Sequence, residues 1–168
     1  MFKLQDFLAN VRELARKYQF QAEIVFPTVI GSSQLVNLLL ESTDVPNKQI
    51  ASVSSAYAGQ PMFLAGKSTF STWSCTFRID DNYDIYKKFR AWNELVVGTQ
   101  TNIASFPSQY KSSFSLYQLD SQANRLIAFD MVGAWISNID DSPIDYSSKE
   151  ISTVRIDFEY DYHTVRVL

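Results

Sequence analysis

The chain has 168 residues, 46% of them hydrophobic, and a formal net charge of −3. This length fits one globular domain, and the acidic balance argues against a nucleic-acid coat or a polybasic membrane binder, because both need concentrated positive charge. A single cysteine, Cys75, and a single histidine, His163, exclude an intramolecular disulfide and the usual zinc clusters within one chain.

The N-terminal segment, residues 1–18, predicts a helical arm, because apolar residues recur in it at three- and four-residue spacing. Its stripe either covers the domain's own core or docks on a neighbouring molecule, in which case Phe7 and Val11 are contact candidates. The segment is charged throughout and lacks the apolar region of a signal peptide, and no run in the chain approaches the ~20 apolar residues of a membrane span. We therefore expect no membrane anchor and a protein made in a cytoplasm.

Two strands and a long hairpin are predicted next. Alternating residues predict a half-buried strand over residues 20–26, and a nearly continuous apolar run predicts a buried strand over residues 35–42. Residues 50–68 are poor in charge and predict a hairpin, whose arm, residues 50–64, is either a contact surface, an aggregation hazard or an ordinary hairpin packed on its own domain. The contact candidates in the arm are Ile50, Val53, Tyr57, Met62, Phe63 and Leu64.

A further strand and a helix follow. Residues 69–79 alternate cleanly with Cys75 on the apolar side, so we expect a buried and unreactive thiol. Asp80 and Asp81 supply candidate caps for a flanking helix over residues 83–97. The apolar stripe of that helix is formed by Ile85, Phe89, Trp92 and Val96.

The C-terminal part reads as strands and loops. Strands over residues 113–119 and 126–135 precede a loop over residues 137–148, and the last strand, over residues 153–162, alternates most clearly. One face of that strand carries a row of carboxylates formed by Asp157, Glu159 and Asp161. About seven or eight antiparallel strands with a flanking helix and an N-terminal helix predict a mainly β fold, a β-barrel or sandwich, in a single domain.

The sequence contains no motif for phosphate or nucleophile chemistry, since G-x-x-x-x-G-K-[ST], G-x-G-x-x-G and G-x-S-x-G are all absent. The acidic residues Asp140, Asp141 and Asp145 do not have EF-hand spacing. Carboxylates two apart in a strand lie ~6.5–7 Å apart, a separation that glycosidases use, but the wet face of an amphipathic strand explains the carboxylate row more simply. We expect no enzyme activity, no cofactor and no metal.

Several spaced motifs resemble a known family. Residues 64–77 read LAGKSTFSTWSCTF and run into a helix that contains Phe89 and Trp92, and residues 41–46 read ESTDVP. Residues 133–139 read GAWISNI and lead to a strand that ends near Y-x-Y, with isoleucine where the family often has proline. From about residue 18 onward, the order and spacing of these motifs resemble the tail tube proteins of contractile-tailed bacteriophages.

The resemblance implies a structural subunit of a contractile-tail inner tube. Hexameric rings with a continuous β-barrel as inner wall would stack into a hollow tube inside a sheath, and DNA would pass through it. The implied partners are further copies of the chain, the sheath protein, a baseplate or initiator protein and a tail terminator, and the implied location is the virion tail, assembled in the host cytoplasm. A tube initiator and a tube protein of a type VI secretion or related injection system are the alternatives.

The implied role assigns a function to each group of candidate residues. The arm and the N-terminal helix would make contacts between rings. The carboxylate row is a candidate for the lumen wall, because negative charge repels phosphates within a Debye length of ~8–10 Å and lets DNA slide without sequence-specific binding.

Overall fold

The computed structural model describes Leu4 and residues 14–168. Most of the predicted N-terminal helical arm, including the contact candidates Phe7 and Val11, lies outside the described residues. Residues 14–18 fall within the predicted helix but form an irregular segment that ends in a turn. The backbone N–H of Gln19 closes this turn on the carbonyl of Arg16 at 3.1 Å.

The described residues form nine strands and three helices. In chain order they are β1 (Phe20–Ile24), α1 (Leu35–Leu38), β2 (Leu40–Thr43), β3 (Lys48–Tyr57), β4 (Gln60–Phe70), β5 (Trp73–Arg78), α2 (Asp84–Val96), α3 (Pro107–Tyr110), β6 (Ser112–Leu119), β7 (Arg125–Asp141), β8 (Thr153–Glu159) and β9 (Tyr162–Val167).

All strand pairs in these elements are antiparallel, and the strand order is β1-β6-β7-β8-β5-β2, with β9 also paired to β7. The long β7 belongs to both halves of the fold: residues 127–132 pair with β9, and residues 135–141 pair with β8. Strands β3 and β4 form a separate two-stranded sheet. The mainly β fold with a flanking helix is confirmed, but the described strands leave β1 and β2 as open edges and close no barrel.

The core lies between the two halves of the sheet and α2. Alternation along β5 and β8 turns their apolar residues inward, so that Trp73 pairs with Phe158 and Phe77 with Val154. The buried stripe of α2 comprises Ile85, Phe89, Trp92 and Val96. Phe114 and Phe158 meet edge-to-face at 5.0 Å, the geometry that aromatic quadrupoles favour.

Helix α2 lies within the predicted residues 83–97, and its start is held by one of the predicted caps. The carboxylate of Asp80 accepts the backbone N–H groups of Asp84 at 3.1 Å and Ile85 at 3.4 Å. These are N–H groups that a first helical turn leaves without intrahelical partners.

The prediction of a buried strand over residues 35–42 is wrong in its first half. Residues 35–38 form the short helix α1, and only the last residues join β2. Within this apolar run Val36 is fully buried, whereas Leu38 is 77% exposed. A short apolar run does not distinguish a strand from a helix, and here the side chain of Asn37 fixes the helical turn by accepting the backbone N–H of Ile24 at 2.9 Å.

Two boundaries near the C-terminus also differ from the prediction. Strand β7 continues to Asp141 into the predicted loop, because its polar last residues pair with β8. The predicted last strand is divided into β8 and β9 by a corner at residues 160–161, and β9 pairs with the other half of β7. Asp161 therefore lies at this corner and is not in one strand row with Asp157 and Glu159.

Candidate assembly surfaces

Strands β3 and β4 and their turn form a hairpin, residues 48–70, which contains the predicted arm of residues 50–64. From here on, the arm means this whole hairpin. The strands pair from Lys48 opposite Phe70 to Tyr57 opposite Gln60. The turn residues Ala58 and Gly59 have φ values of 52° and 81°, the positive values that tight hairpin turns require. Apart from its base, the arm is exposed along both strands, so it projects from the body of the domain.

The two faces of the arm differ in chemistry. The register places Val53 opposite Leu64 and alternation adds Tyr57 and Met62, so four large apolar side chains share one face. Their exposure runs from 46% for Met62 to 80% for Tyr57. The opposite face consists of small residues around the exposed Phe63, and no charged residue occurs between positions 49 and 66.

The sixth arm candidate, Ile50, is separated from the others by a bulge. The register shifts between Ile50 and Ser52, where Gly66 and Lys67 of β4 stand opposite the single residue Ala51 of β3. A Cβ atom at Gly66 would lie 2.9 Å from the carbonyl oxygen of Ala51, so the two strands approach at a distance that only glycine permits. The bulge thus sets the direction of the outer arm relative to its base.

An aromatic cluster anchors the base of the arm. The ring of Phe70 lies 5.2 Å from that of His163 and 6.0 Å from that of Tyr160. The Tyr160 hydroxyl and His163 Nδ1 are buried without a hydrogen-bond partner among the described residues. Burial lowers the pKa of His163, and the charge of Lys48 lowers it further. Sequence reasoning missed the contact between Phe70 and His163, because the two residues are far apart in the chain.

The outer face of β8 carries two carboxylates of the predicted row. Asp157 accepts hydrogen bonds from Ser74 Oγ at 2.6 Å and Asn138 Nδ2 at 3.2 Å, and Glu159 accepts one from Thr72 Oγ1 at 2.6 Å. Burial opposes ionisation of Asp157, but the bonds from Ser74, Asn138 and Arg155 outweigh it and lower the pKa of this carboxyl.

The two outer faces of the sheet differ in charge. Near β8, Asp140 lies opposite Arg155 in the register. Arg155 therefore shares its face with three carboxylates, those of Asp140, Asp157 and Glu159. On the outer face of β1, β6 and the first half of β7, Glu23 pairs with Arg125 and Asp130 with Arg166. The bond from Arg166 is the main cause that lowers the pKa of Asp130. The face of β8 is therefore the more acidic of the two.

Asp161, the third predicted lumen candidate, is engaged at the corner between β8 and β9. Lys111 Nζ donates to both of its carboxylate oxygens, at 2.6 and 2.9 Å, and its backbone N–H donates to the carbonyl of Val132 at 2.9 Å. This pairing neutralises the carboxylate locally and gives it a role in holding the corner.

The sequence model of the family described as phage tail tube protein matches residues 2–166. The chain belongs to the phage tail tube protein family. The tail tube protein gp19 of Enterobacteria phage T4 is 26% identical over 153 residues, covering 89% of this chain and 91% of that protein. The tail tube protein of Serratia phage KSP90 is 25% identical over 142 residues, covering 82% and 80%.

Solved structures of other assemblies share the fold of this tail tube protein. The tube-terminating cap of the anti-feeding prophage superposes with a TM-score of 0.70 at 12% identity, covering 94% of both chains. A chain of the sheath-tube complex of an extracellular contractile injection system superposes with a TM-score of 0.64 at 11% identity, covering 100% of both chains. As a tail tube protein, this chain is a structural component of the virion tail.

One surface of this tail tube protein was not singled out by sequence reasoning. The loop of residues 142–152, between β7 and β8, exposes Ile144 at 99%, together with Tyr146 and Ile151. Within it, the Asp145 carboxylate accepts the backbone N–H of Ser147 at 2.9 Å and its hydroxyl at 2.8 Å, and these bonds lower the pKa of Asp145. The available signal was the isoleucine and tyrosine in an otherwise polar loop.

Leu4 and residues 14–168 contain no group of three or more histidine, cysteine or acidic side chains placed to hold a metal ion. Within the same residues, no helix has the length and apolar character needed to cross a membrane.

Proposed function

We propose that this protein is the main tube subunit of a contractile phage tail, in which hexameric rings stack into a hollow conduit for DNA inside a sheath. The observation that carries the proposal is the arm, which projects with an uncharged surface and large apolar side chains exposed. Relatives of this chain are named tail tube proteins, and the chain shares its fold with a chain of a sheath-tube complex.

An exposed apolar surface of this kind fits a polymer better than a monomer. Monomeric proteins rarely leave large apolar patches uncovered, and contacts between different patches on identical subunits generate rings and filaments. The open edges of β1 and β2 add unpaired backbone groups that a neighbouring subunit would satisfy. The arm candidates Ile50, Val53, Tyr57, Met62, Phe63 and Leu64 are the proposed contacts between copies, with Phe7 and Val11 of the N-terminal segment as further ones.

The acidic face of β8 is the proposed lumen wall. Asp157 and Glu159 are the residues we assign to it, because Asp161 is paired with Lys111 at the corner. Fixed negative charge on that wall repels DNA phosphates over roughly a Debye length, ~8 Å at physiological salt, and so prevents adhesion. The sheath protein, a baseplate or initiator protein and a terminator are the proposed further partners, and we propose no catalytic role.

Assembly of the purified protein tests the tube proposal. Negative-stain microscopy and sedimentation across a concentration series should show hollow tubes of uniform width. Tyr57→Ser with Phe63→Ser should abolish them while leaving the circular dichroism spectrum unchanged. Leu38→Ser, at a similarly exposed leucine away from the arm, is the matched control and should still form tubes. A wild-type monomer at every concentration would favour a tube initiator instead.

Charge reversal tests the lumen wall separately. Glu159→Lys in a phage that carries this gene should leave tail assembly normal and slow DNA ejection, because a cation at the wall attracts phosphates. Asp81→Lys makes the same charge change at an exposed position outside the sheet and should leave ejection unchanged. Equal ejection rates for the two variants would place the β8 face outside the lumen.

A further inference from the structure

The arm and the loop of residues 142–152 leave the domain from opposite ends of the same sheet. The arm joins β2 and β5 at the end where Thr43 pairs with Cys75 and Trp73 pairs with Phe158. The loop joins β7 to β8 at the other end, where Asp141 pairs with Val154. These ends are separated by the length of β8, roughly 20 Å for a seven-residue strand. An arm therefore cannot reach the loop of its own subunit without leaving its position.

A cleft of about 420 Å³ lies beside this loop. Its apolar lining comes from Tyr83, Pro143, Ile144 and Ile151, and polar residues such as Asp145 and Ser148 line the rest. The Glu150 side chain also lines the cleft, and among the described residues its carboxylate has no hydrogen-bond partner. The cleft thus offers exposed apolar side chains beside the Glu150 carboxylate, a combination that suits an aromatic ring that carries a hydroxyl group.

The tip of the arm carries such a group. Tyr57 ends β3 beside the turn, is 80% exposed, and its hydroxyl has no hydrogen-bond partner among the described residues. The residues around it are uncharged, so their burial against another protein leaves no unpaired charge.

The area of the arm indicates that a stable contact needs a surface other than the arm of a neighbouring copy. The ten residues of β3 span roughly 33 Å, and two strands cover roughly 10 Å, so each face offers on the order of 300 Å². A stable interface takes about 800 Å² from each partner. Both faces and the tip together approach that area, which a contact through one face does not.

We infer that the cleft at residues 142–153 of one copy receives the arm tip of a second copy in the adjacent ring, with Tyr57 inserted beside Ile144 and Ile151 and its hydroxyl donating to Glu150. This inference rests on the proposed tube function and specifies which surfaces meet between rings. The contact is heterologous: each subunit presents its arm at one end and its cleft at the other, so it repeats along the tube without closing.

Disulfide cross-linking in assembled tubes tests the contact. Gln60→Cys lies opposite Tyr57 at the tip, and Ser148→Cys lies at the cleft, so neither change removes a proposed contact group. Oxidised tubes of the double variant should give a ladder of covalent multimers, and a mixture of the two single variants should give dimers. Gln60→Cys with Ser121→Cys, at an exposed turn between β6 and β7, is the control and should remain monomeric under the same oxidation.

A second measurement tests the hydrogen bond. Tyr57→Phe and Glu150→Met, which each lack one of the two hydrogen-bonding groups, should each raise the critical concentration for tube growth about fivefold, and the double variant should raise it no further, because both remove the same interaction. If wild-type tubes form but Gln60→Cys and Ser148→Cys fail to cross-link, the receiving cleft is wrong and the tube function stands. If the wild-type protein forms no tubes at any concentration, the tube function fails and the inference fails with it.

Discussion

The carboxylate of Asp161 occupies the space that a side chain at Gly133 would need. A Cβ atom at Gly133 would lie 2.1 Å from Asp161 Oδ2, and the φ of Gly133 is +70°. At this glycine, strand β7 passes from its pairing with β9 to its pairing with β8. The glycine of the GAWISNI motif thus allows β8 and β9, on either side of the corner, to pair with the same long strand.

We expect Gly133→Ala to lower the free energy of unfolding by roughly 2–4 kcal/mol, since it adds a left-handed backbone penalty to displacement of the Asp161 carboxylate. Urea unfolding followed by circular dichroism measures the loss. Gly59→Ala is the matched control, because its φ of +81° carries the same backbone penalty but its Cβ would meet nothing within 4 Å. Similar losses for the two variants would show that the contact with Asp161 is unimportant.

Trp92 should contribute more to stability than Trp135. Trp92 is fully buried and its indole N–H donates to the carbonyl of Tyr110 at 2.8 Å, whereas Trp135 is half-buried and has no such bond within the described chain. We expect Trp92→Phe to cost about 2–4 kcal/mol, from the cavity and the unpaired carbonyl, and Trp135→Phe less than about 1.5 kcal/mol. Thermal and urea unfolding of both variants give the comparison, and the reverse order would contradict it.

Stability should decrease as the pH is lowered from about pH 7 to about pH 5, because of His163. The folded-state pKa of this histidine lies below its unfolded value of ~6.5, so the unfolded chain binds the proton more readily and stability present above pH 6.5 is lost as the pH falls. His163→Phe keeps a ring between Phe70 and Tyr160 and should flatten the profile in this window. His163 is the only histidine, so an unchanged slope in the variant would assign the effect to other groups.

Cys75 should be inert in the folded protein. Burial raises the pKa of its thiol, with the Thr43 hydroxyl 3.2 Å from the sulfur, and its side chain is 1% exposed. A thiol reagent at pH 8 should label the wild-type chain only at the rate of unfolding, and should label it at once in urea. Ser148→Cys provides the rapid reference at an exposed loop position. Fast labelling of native wild-type protein would contradict the buried assignment.

Local pattern was sufficient for several elements. Alternation identified the strand that holds Cys75, and three- and four-residue spacing identified the helix that became α2, with Asp80 at its start. The lack of charge between positions 49 and 66 indicated a hairpin, which β3 and β4 form. These features depend on neighbours within a few residues, so the sequence carries them directly.

Other features depended on contacts between residues that are distant in the chain. The apolar run at residues 35–38 became a helix because Asn37 bonds to Ile24, and the last predicted strand became two because a corner at Gly133 and Asp161 redirects the chain. The aromatic base of the arm joins Phe70 to His163 in the same way. The spacing of residues within a segment does not reveal such pairs.

Residue periodicity was enough to show which side of α2 and of the clearly alternating strands is apolar, because a period of two or 3.6 residues assigns each side chain to a face. The sequence also determined, through its spaced motifs, the family to which the chain belongs. The tertiary structure was needed to show which strands pair, where the pairing of β7 passes from β9 to β8, and that the arm and the loop of residues 142–152 lie at opposite ends of the sheet. These features depend on the register between strands that are distant in the chain. Alternation assigns each side chain to one face of a strand, but it does not say with which other strand that strand pairs.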